Sequence, residues 1–224
     1  MKMNSYDTVI FDMDGTVTET GRGVLNSVQY ALDALGYPMP DVPRRLFMGP
    51  PLAYSFATYC GLPPELIDEA IRLYRVYYTD KGIFECALYD GMEELFIRLR
   101  GEGKKMLIAS SKPEMFVKRI LEHFGALSYF DFVGGADMAE TRSEKPDVLR
   151  YTLAEAGVTD LDGAVMVGDR EHDILGAKEV GIDSIGVLYG YGERDEFIKA
   201  GATHIAATPR EVGDIVCAAS LRRE

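Results

Sequence analysis

The chain lacks most of what would place it outside a reducing, aqueous compartment. Its three cysteines, Cys60, Cys86 and Cys217, are odd in number and widely spaced, with no CxxC pair. That pattern offers neither a disulfide framework nor zinc-ligand spacing, so the thiols read as reduced. No stretch approaches the roughly 20 apolar residues of a membrane helix. A core strand starts within about six residues of Met1, without an apolar leader. The expected location is therefore cytoplasmic, with no membrane partner. Positive charge is also scarce: 24 Lys and Arg stand against 36 Asp and Glu, a net charge of −12. Phosphate backbones repel such a surface, so nucleic acid is not an expected partner. There is no internal repeat and no low-complexity linker. At 224 residues the chain has length for one substantial core plus a small insert.

Against these absences stand acids in unusual places. Thr8-Val9-Ile10-Phe11-Asp12-Met13-Asp14-Gly15-Thr16 sets two carboxylates where a strand covered on both faces runs out into a glycine turn. Such a pair repels itself unless a cation lies between them, one acid takes a proton, or both face water. A hard cation such as Mg²⁺ is the simplest of the three. Gly163-Ala164-Val165-Met166-Val167-Gly168-Asp169-Arg170-Glu171-His172-Asp173 repeats the design: an apolar strand, an acid at its exit, and a second acid one helical turn on. Lys105-Met106-Leu107-Ile108-Ala109-Ser110-Ser111-Lys112-Pro113 is a third apolar strand, ending in hydroxyls that suit a phosphate before a Pro that suits a helix start. Ser143-Glu144-Lys145-Pro146-Asp147 places a lysine at the head of an amphipathic stretch carrying Val148, Leu149, Leu153 and Ala156. Taken singly, Lys145 is an ordinary helix-start lysine and Ser110 an ordinary capping hydroxyl. Their order along the chain is what gives them weight.

These four segments, in this order, resemble the haloacid dehalogenase superfamily of phosphohydrolases. The family pattern is a strand with DxDGT, a strand ending in Ser or Thr, a Lys before a helix, and a strand ending in GDxxxD. Here it is met by Asp12, Asp14, Gly15 and Thr16, then Ser110, then Lys145, then Gly168, Asp169 and Asp173. The resemblance covers about two thirds of the sequence. Gly49-Pro50-Pro51-Leu52 and Gly186-Val187-Leu188-Tyr189-Gly190-Tyr191-Gly192 look like the phosphoglycolate-phosphatase-like branch, which includes nucleotidase-like and pyrophosphatase-like members.

The resemblance implies an α/β fold: a three-layer, Rossmann-like parallel-sheet core formed by residues 1–16 and 85–224, with an all-helical cap inserted at 17–84. Helical periodicity within the insert agrees, through Val24 to Leu35, Leu52 to Tyr59, and Leu66 to Tyr77, as does the alternation of helix and strand after Gly91. By resemblance, Asp12 is the nucleophile and Asp14 the acid and later the base. Mg²⁺ takes a carboxylate oxygen of Asp12, the main-chain carbonyl of Asp14 and a carboxylate oxygen of Asp169, and Asp173 holds a metal-bound water. Ser110 and Lys145 hold the phosphoryl oxygens, and Gly15 lets the backbone approach closely. Thr16 and Ser111 line the phosphate side. Lys112 reaches either a substrate on the cap side or solvent alone, and Arg45, beside Arg44, is the best cap candidate for a second anionic group. His172 is the one histidine adjoining a motif and reads as a surface or supporting position.

The expected activity is Mg²⁺-dependent hydrolysis of a small phosphate monoester, such as phosphoglycolate, a nucleoside monophosphate or a sugar phosphate, by a monomer or weak homodimer. A dehalogenase would lack Asp14. Phosphonate hydrolysis calls for a cap lysine, and the insert's single lysine is Lys81, at its return hinge. A phosphomutase of the β-phosphoglucomutase type shares the DxD pair but carries a cap histidine, which this insert lacks. Inorganic pyrophosphatase is a further alternative. A noncatalytic phosphate-binding module is the remote one, since all four motifs are intact.

Overall fold

The computed structural model describes residues 6–137 and 141–218. They form two compact units, Glu19–Ala87 and the remainder of the chain on either side of it. Two short strands, β2 (Thr18–Glu19) and β3 (Ala87–Leu88), pair where the chain passes from one unit to the other.

The larger unit is built on β1 (Thr8–Phe11), β4 (Lys105–Pro113), β5 (Phe132–Ala136), β6 (Ala164–Gly168), β7 (Asp183–Val187) and β8 (His204–Ala206). All pairings are parallel, in the spatial order β5-β4-β1-β6-β7-β8. β1 is central because every one of its residues is buried and suited to a strand with neighbours on both sides. Its alternation divides the core. Ile10 faces Leu107, Met166 and the apolar sides of α6 (Lys145–Glu155) and α7 (Glu171–Val180), with Val148, Leu149 and Ala177 between. Phe11 points the other way and meets Phe96 of α4 (Met92–Gly101) and Phe130 edge to face, 5.9 and 6.3 Å between centroids. Burying such a ring contributes about 1.5–3 kcal/mol. α4 packs on α9 (Pro209–Cys217), and α5 (Glu114–His123) lies on β4 and β5. Helices on both faces of a parallel sheet give the three-layer α/β arrangement expected from the sequence.

Ligands in such sheets gather beyond the carboxyl ends of the strands, where the strand order reverses. Here that point lies beside β1, between its neighbours β4 and β6. Phe11 is in register with Ile108 and Val167, so Asp12, Ser110 and Asp169 all leave the sheet at one edge.

Two elements differ from the sequence reading. The strand that the alternation of helix and strand after Gly91 places at Phe130–Val133 is Phe132–Ala136. Phe130 is held by the turn Leu127–Tyr129, and Gly134 and Gly135 continue the strand because Thr152 and the Glu114 backbone press against them. Glycine here marks a close approach.

In the smaller unit α1 (Gly21–Leu35) and α3 (Pro64–Asp80) pack together, Tyr30 against Tyr77 at 5.3 Å. The helix expected from Leu52 to about Gly61 is α-helical over Leu52–Tyr54 alone. It widens into a π turn over Ser55–Tyr59, where the Cys60 amide donates to the Ser55 carbonyl at 3.2 Å. The wider turn accompanies full burial of Phe56.

Candidate active site

Three acids and one lysine form the centre of the larger unit's site. Asp12 follows β1, and its amide is fixed to the Val167 carbonyl at 2.9 Å. Asp169 follows β6. Asp173 is the third residue of α7, and its Oδ2 accepts the Arg170 amide at 3.1 Å, closing the helix's first turn. One oxygen from each of the three carboxylates lies within 4.8 Å of the others. Lys145, 6% exposed, reaches them from the first turn of α6. Its Nζ donates to Asp12 Oδ1 at 2.8 Å and to the Ala109 carbonyl at 3.0 Å, and stands 2.8 Å from Asp173 Oδ1. Two of the ammonium's protons are thus donated, and its charge faces Asp173.

The charges do not balance, since three buried carboxylates share one ammonium. Burial pushes Asp169 well above the usual carboxylate range, and the Asp173 and Asp12 charges push it further, against the Tyr191 amide. Asp173 is raised by burial and Asp12, with Lys145 pulling the other way. For Lys145, burial favours loss of the proton, but Asp12 and Asp173 outweigh it and raise its pKa. Hard oxygen donors, close-set and over-acidic, fit a small divalent cation. The residues that would hold it are Asp12, Asp169 and Asp173. The Asp14 carboxylate is not one of the group.

Asp14 is placed differently. Two residues beyond Asp12, its side chain is 35% exposed and pairs with Lys112 Nζ at 2.8 Å. Lys112 therefore differs from the sequence reading, because its side chain is almost buried and turned to an acid of the first motif instead of solvent. Ser110 is buried, with its Oγ accepting the Lys112 amide at 3.3 Å, whereas Ser111 is exposed. Thr16 is fully buried. Arg45 is exposed on the turn Arg44–Phe47 of the smaller unit, and His172 is exposed beside Asp173.

The closeness of these groups depends on glycine. Gly15 has a φ of 82°, and a Cβ there would strike the Asp169 carboxylate and the Tyr191 ring.

The family model described as haloacid dehalogenase-like hydrolase matches residues 9–187. The chain belongs to this family. Among relatives of this hydrolase, the 5'-nucleotidase of Pseudomonas aeruginosa is 37% identical over 203 residues, 90% of this chain and 91% of that one. Tyrosine-protein kinase PtkA of Mycobacterium tuberculosis is 39% identical over 212 residues, 93% of this chain and 72% of that one. The crystal structure of a protein described as a predicted phosphatase from Clostridium acetobutylicum matches with a TM-score of 0.86 at 39% identity, covering 95% of this chain and 99% of that one. The phosphoglycolate phosphatase of Colwellia psychrerythraea is more distant, 26% identical over 210 residues, 90% of this chain and 92% of that one.

Several parts of the hydrolase's site carry no motif of their own. The Ala109 carbonyl is a backbone acceptor, visible only once Lys145 is placed. Gly176 admits the Lys145 stem against α7, since a Cβ there would lie 2.7 Å from the Lys145 Cγ. The segment after β7 donates the Tyr191 amide to Asp169 Oδ2 at 2.8 Å. Its Gly-Tyr-Gly run was the available signal.

Proposed function

We propose that this hydrolase is a Mg²⁺-dependent phosphatase, cleaving small phosphate monoesters through an aspartyl-phosphate on Asp12. The observation that carries the reading is the division between the two acids of the first motif: Asp12 within the buried acid and lysine cluster, Asp14 outside it and partly open to solvent. Two carboxylates in such different settings suit two different tasks.

Asp12 attacks phosphorus as the ester P–O bond breaks, and Asp14 gives its proton to the leaving oxygen. To act as an acid Asp14 must first be released by Lys112, and an incoming anionic phosphate competes for that ammonium. A water then attacks the aspartyl-phosphate, Asp14 takes its proton, and Asp12 and inorganic phosphate are released. Lys145 and Ser110 hold phosphoryl oxygens through both steps. Mg²⁺ at Asp12, Asp169 and Asp173 would supply the charge neutralisation that lets one anion approach another. Insertion of the Glu19–Ala87 unit directly after the first motif supports its reading as a cap, with Arg45 as a contact for a second anionic group. Cys60, Cys86 and Cys217, none of them in a disulfide, suit a cytoplasmic location. Among the described residues no helix is long and apolar enough to cross a membrane.

The test is phosphate release from a nucleoside 5'-monophosphate, phosphoglycolate, a sugar phosphate and pyrophosphate, each with Mg²⁺ or EDTA. Release should require the metal and fall at least about 1,000-fold in Asp12→Asn, a loss of about 4 kcal/mol. Undiminished release in that variant would refute the nucleophile. The name of the 39%-identical mycobacterial relative supports a second reading, phosphoryl transfer to tyrosine. Transfer from ATP to a tyrosine peptide, with no release from the four substrates, would favour it.

A further inference from the structure

Among the described residues five buried side-chain oxygens lack a hydrogen bond: Asp14 Oδ1, Thr16 Oγ1, Ser55 Oγ, Asp173 Oδ1 and Tyr189 Oη. Two are accounted for, since Lys112 and Lys145 ammonium groups stand 2.8 Å from the Asp14 and Asp173 oxygens. Ser55 lies in the π turn of the smaller unit, and Thr16 is a short side chain within a tight turn. Tyr189 is the outlier. Its oxygen sits at the end of a rigid ring, away from its own backbone. Burying a hydroxyl without a partner opposes folding. An unpaired group kept in a native fold calls for a reason, of which a ligand or ordered water is one.

The chain around Tyr189 supplies that reason. Gly190 has no room for a Cβ, which would strike the Gly15 carbonyl and Asp169. The Tyr191 amide is bonded to Asp169 Oδ2. The segment that carries Tyr189 is therefore tethered to an acid of the proposed cation site. Tyr89 packs edge to face on its ring, 5.0 Å between centroids, which limits where the hydroxyl can go. Its hydroxyl is a donor without an acceptor among the described residues.

We propose that Tyr189 is a positioning residue whose hydroxyl donates to a water that arrives with the divalent cation at Asp12, Asp169 and Asp173. This role presupposes the cation reading above and extends it to a residue outside the four motifs. Groups that orient a metal's ligands typically change its affinity about 10–100-fold when removed.

The test is Tyr189→Phe in the full chain, stripped with EDTA and titrated with Mg²⁺ by calorimetry and thermal unfolding. Mg²⁺ binding should weaken about 10-fold. The metal-free Tm should hold or rise, because phenylalanine removes an unpaired hydroxyl and leaves the ring packing. Wild-type affinity in the variant would overturn the role, as would a metal-free Tm several degrees lower, which marks a hydroxyl already bonded within the fold. An effect seen with added inorganic phosphate but not with Mg²⁺ alone would also overturn it. Failure of the wild-type protein to bind Mg²⁺ is distinguishable from all of these, since it removes the cation reading itself.

Discussion

The two edges of the six-stranded sheet treat polar groups in opposite ways. At the amino edge, where buried Tyr6 leads into β1, one half-buried carboxylate is matched by neutral donors. The Tyr6 hydroxyl donates to Asp183 Oδ2 at 2.6 Å, and the Thr203 hydroxyl donates to Oδ1 at 3.1 Å. His204 Nε2 lies 3.0 Å from the Tyr6 oxygen and completes the set by donating to it. At the carboxyl edge three carboxylates crowd one ammonium, and a buried phenol has no hydrogen bond. A satisfied polar network rigidifies a fold, and an unsatisfied one costs it stability. Of the two edges, the imbalance lies at the one where motif residues converge.

The largest test of this contrast is Lys145. Replacing it with methionine keeps the stem and removes the charge that Asp12 and Asp173 share. Breaking a buried ion pair from one side typically costs about 3–5 kcal/mol. Asp183→Asn, at the balanced edge, should cost about 1 kcal/mol, since the amide retains one acceptor for the same donors. Urea unfolding in EDTA measures both. A Lys145→Met loss no larger than that of Asp183→Asn would break the comparison.

Asp169 sharpens it through pH. Burial and then the neighbouring Asp173 and Asp12 raise its pKa in the metal-free fold. In the unfolded chain an aspartate titrates near about 3.9. Above that pH the unfolded state binds fewer protons than the folded one, so stability falls as pH rises, until the folded-state pKa is passed. Asp169→Asn should therefore bring unfolding midpoints in EDTA at pH 5 and pH 8 closer together than in wild type. Asp173, raised for similar reasons, leaves a smaller slope behind. Equal slopes in the two proteins would mean that the acid cluster carries no strain.

How much of this was legible in the sequence follows from the range of each interaction. The strands bearing Asp12, Ser110 and Asp169 announce themselves through apolar runs and punctuation, and a parallel sheet then obliges their exits to share an edge. Lys145 was legible only as a member of an ordered set, because nothing local distinguishes a lysine that will be buried from one that will be solvated. The partner of Lys112 was not legible, since its pairing with Asp14 depends on the path of two side chains leaving adjacent strands. Tyr189 was legible only as a member of the Gly186 to Gly192 run, with nothing to single out its hydroxyl. Burial without a hydrogen bond is a property of a packed neighbourhood and leaves no pattern in the chain.

The smallest expected effect belongs to Tyr6, and it tests whether the two edges are separate. Burial first, then the hydrogen bond to Asp183 and its charge, hold the Tyr6 phenol above its ordinary value. The unfolded phenol ionises near about pH 10. Stability from this group is therefore complete below that pH and is lost as pH rises beyond it, when the unfolded chain releases a proton that the folded one retains. Tyr6→Phe should cost about 1 kcal/mol at pH 8, and the difference from wild type should shrink above pH 10. Because this network lies at the sheet edge opposite Asp12, phosphate release at pH 8 should be unchanged under conditions where the variant is fully folded. A fall in kcat there, with the fold intact, would mean that the balanced edge bears on the unbalanced one through the strands between them.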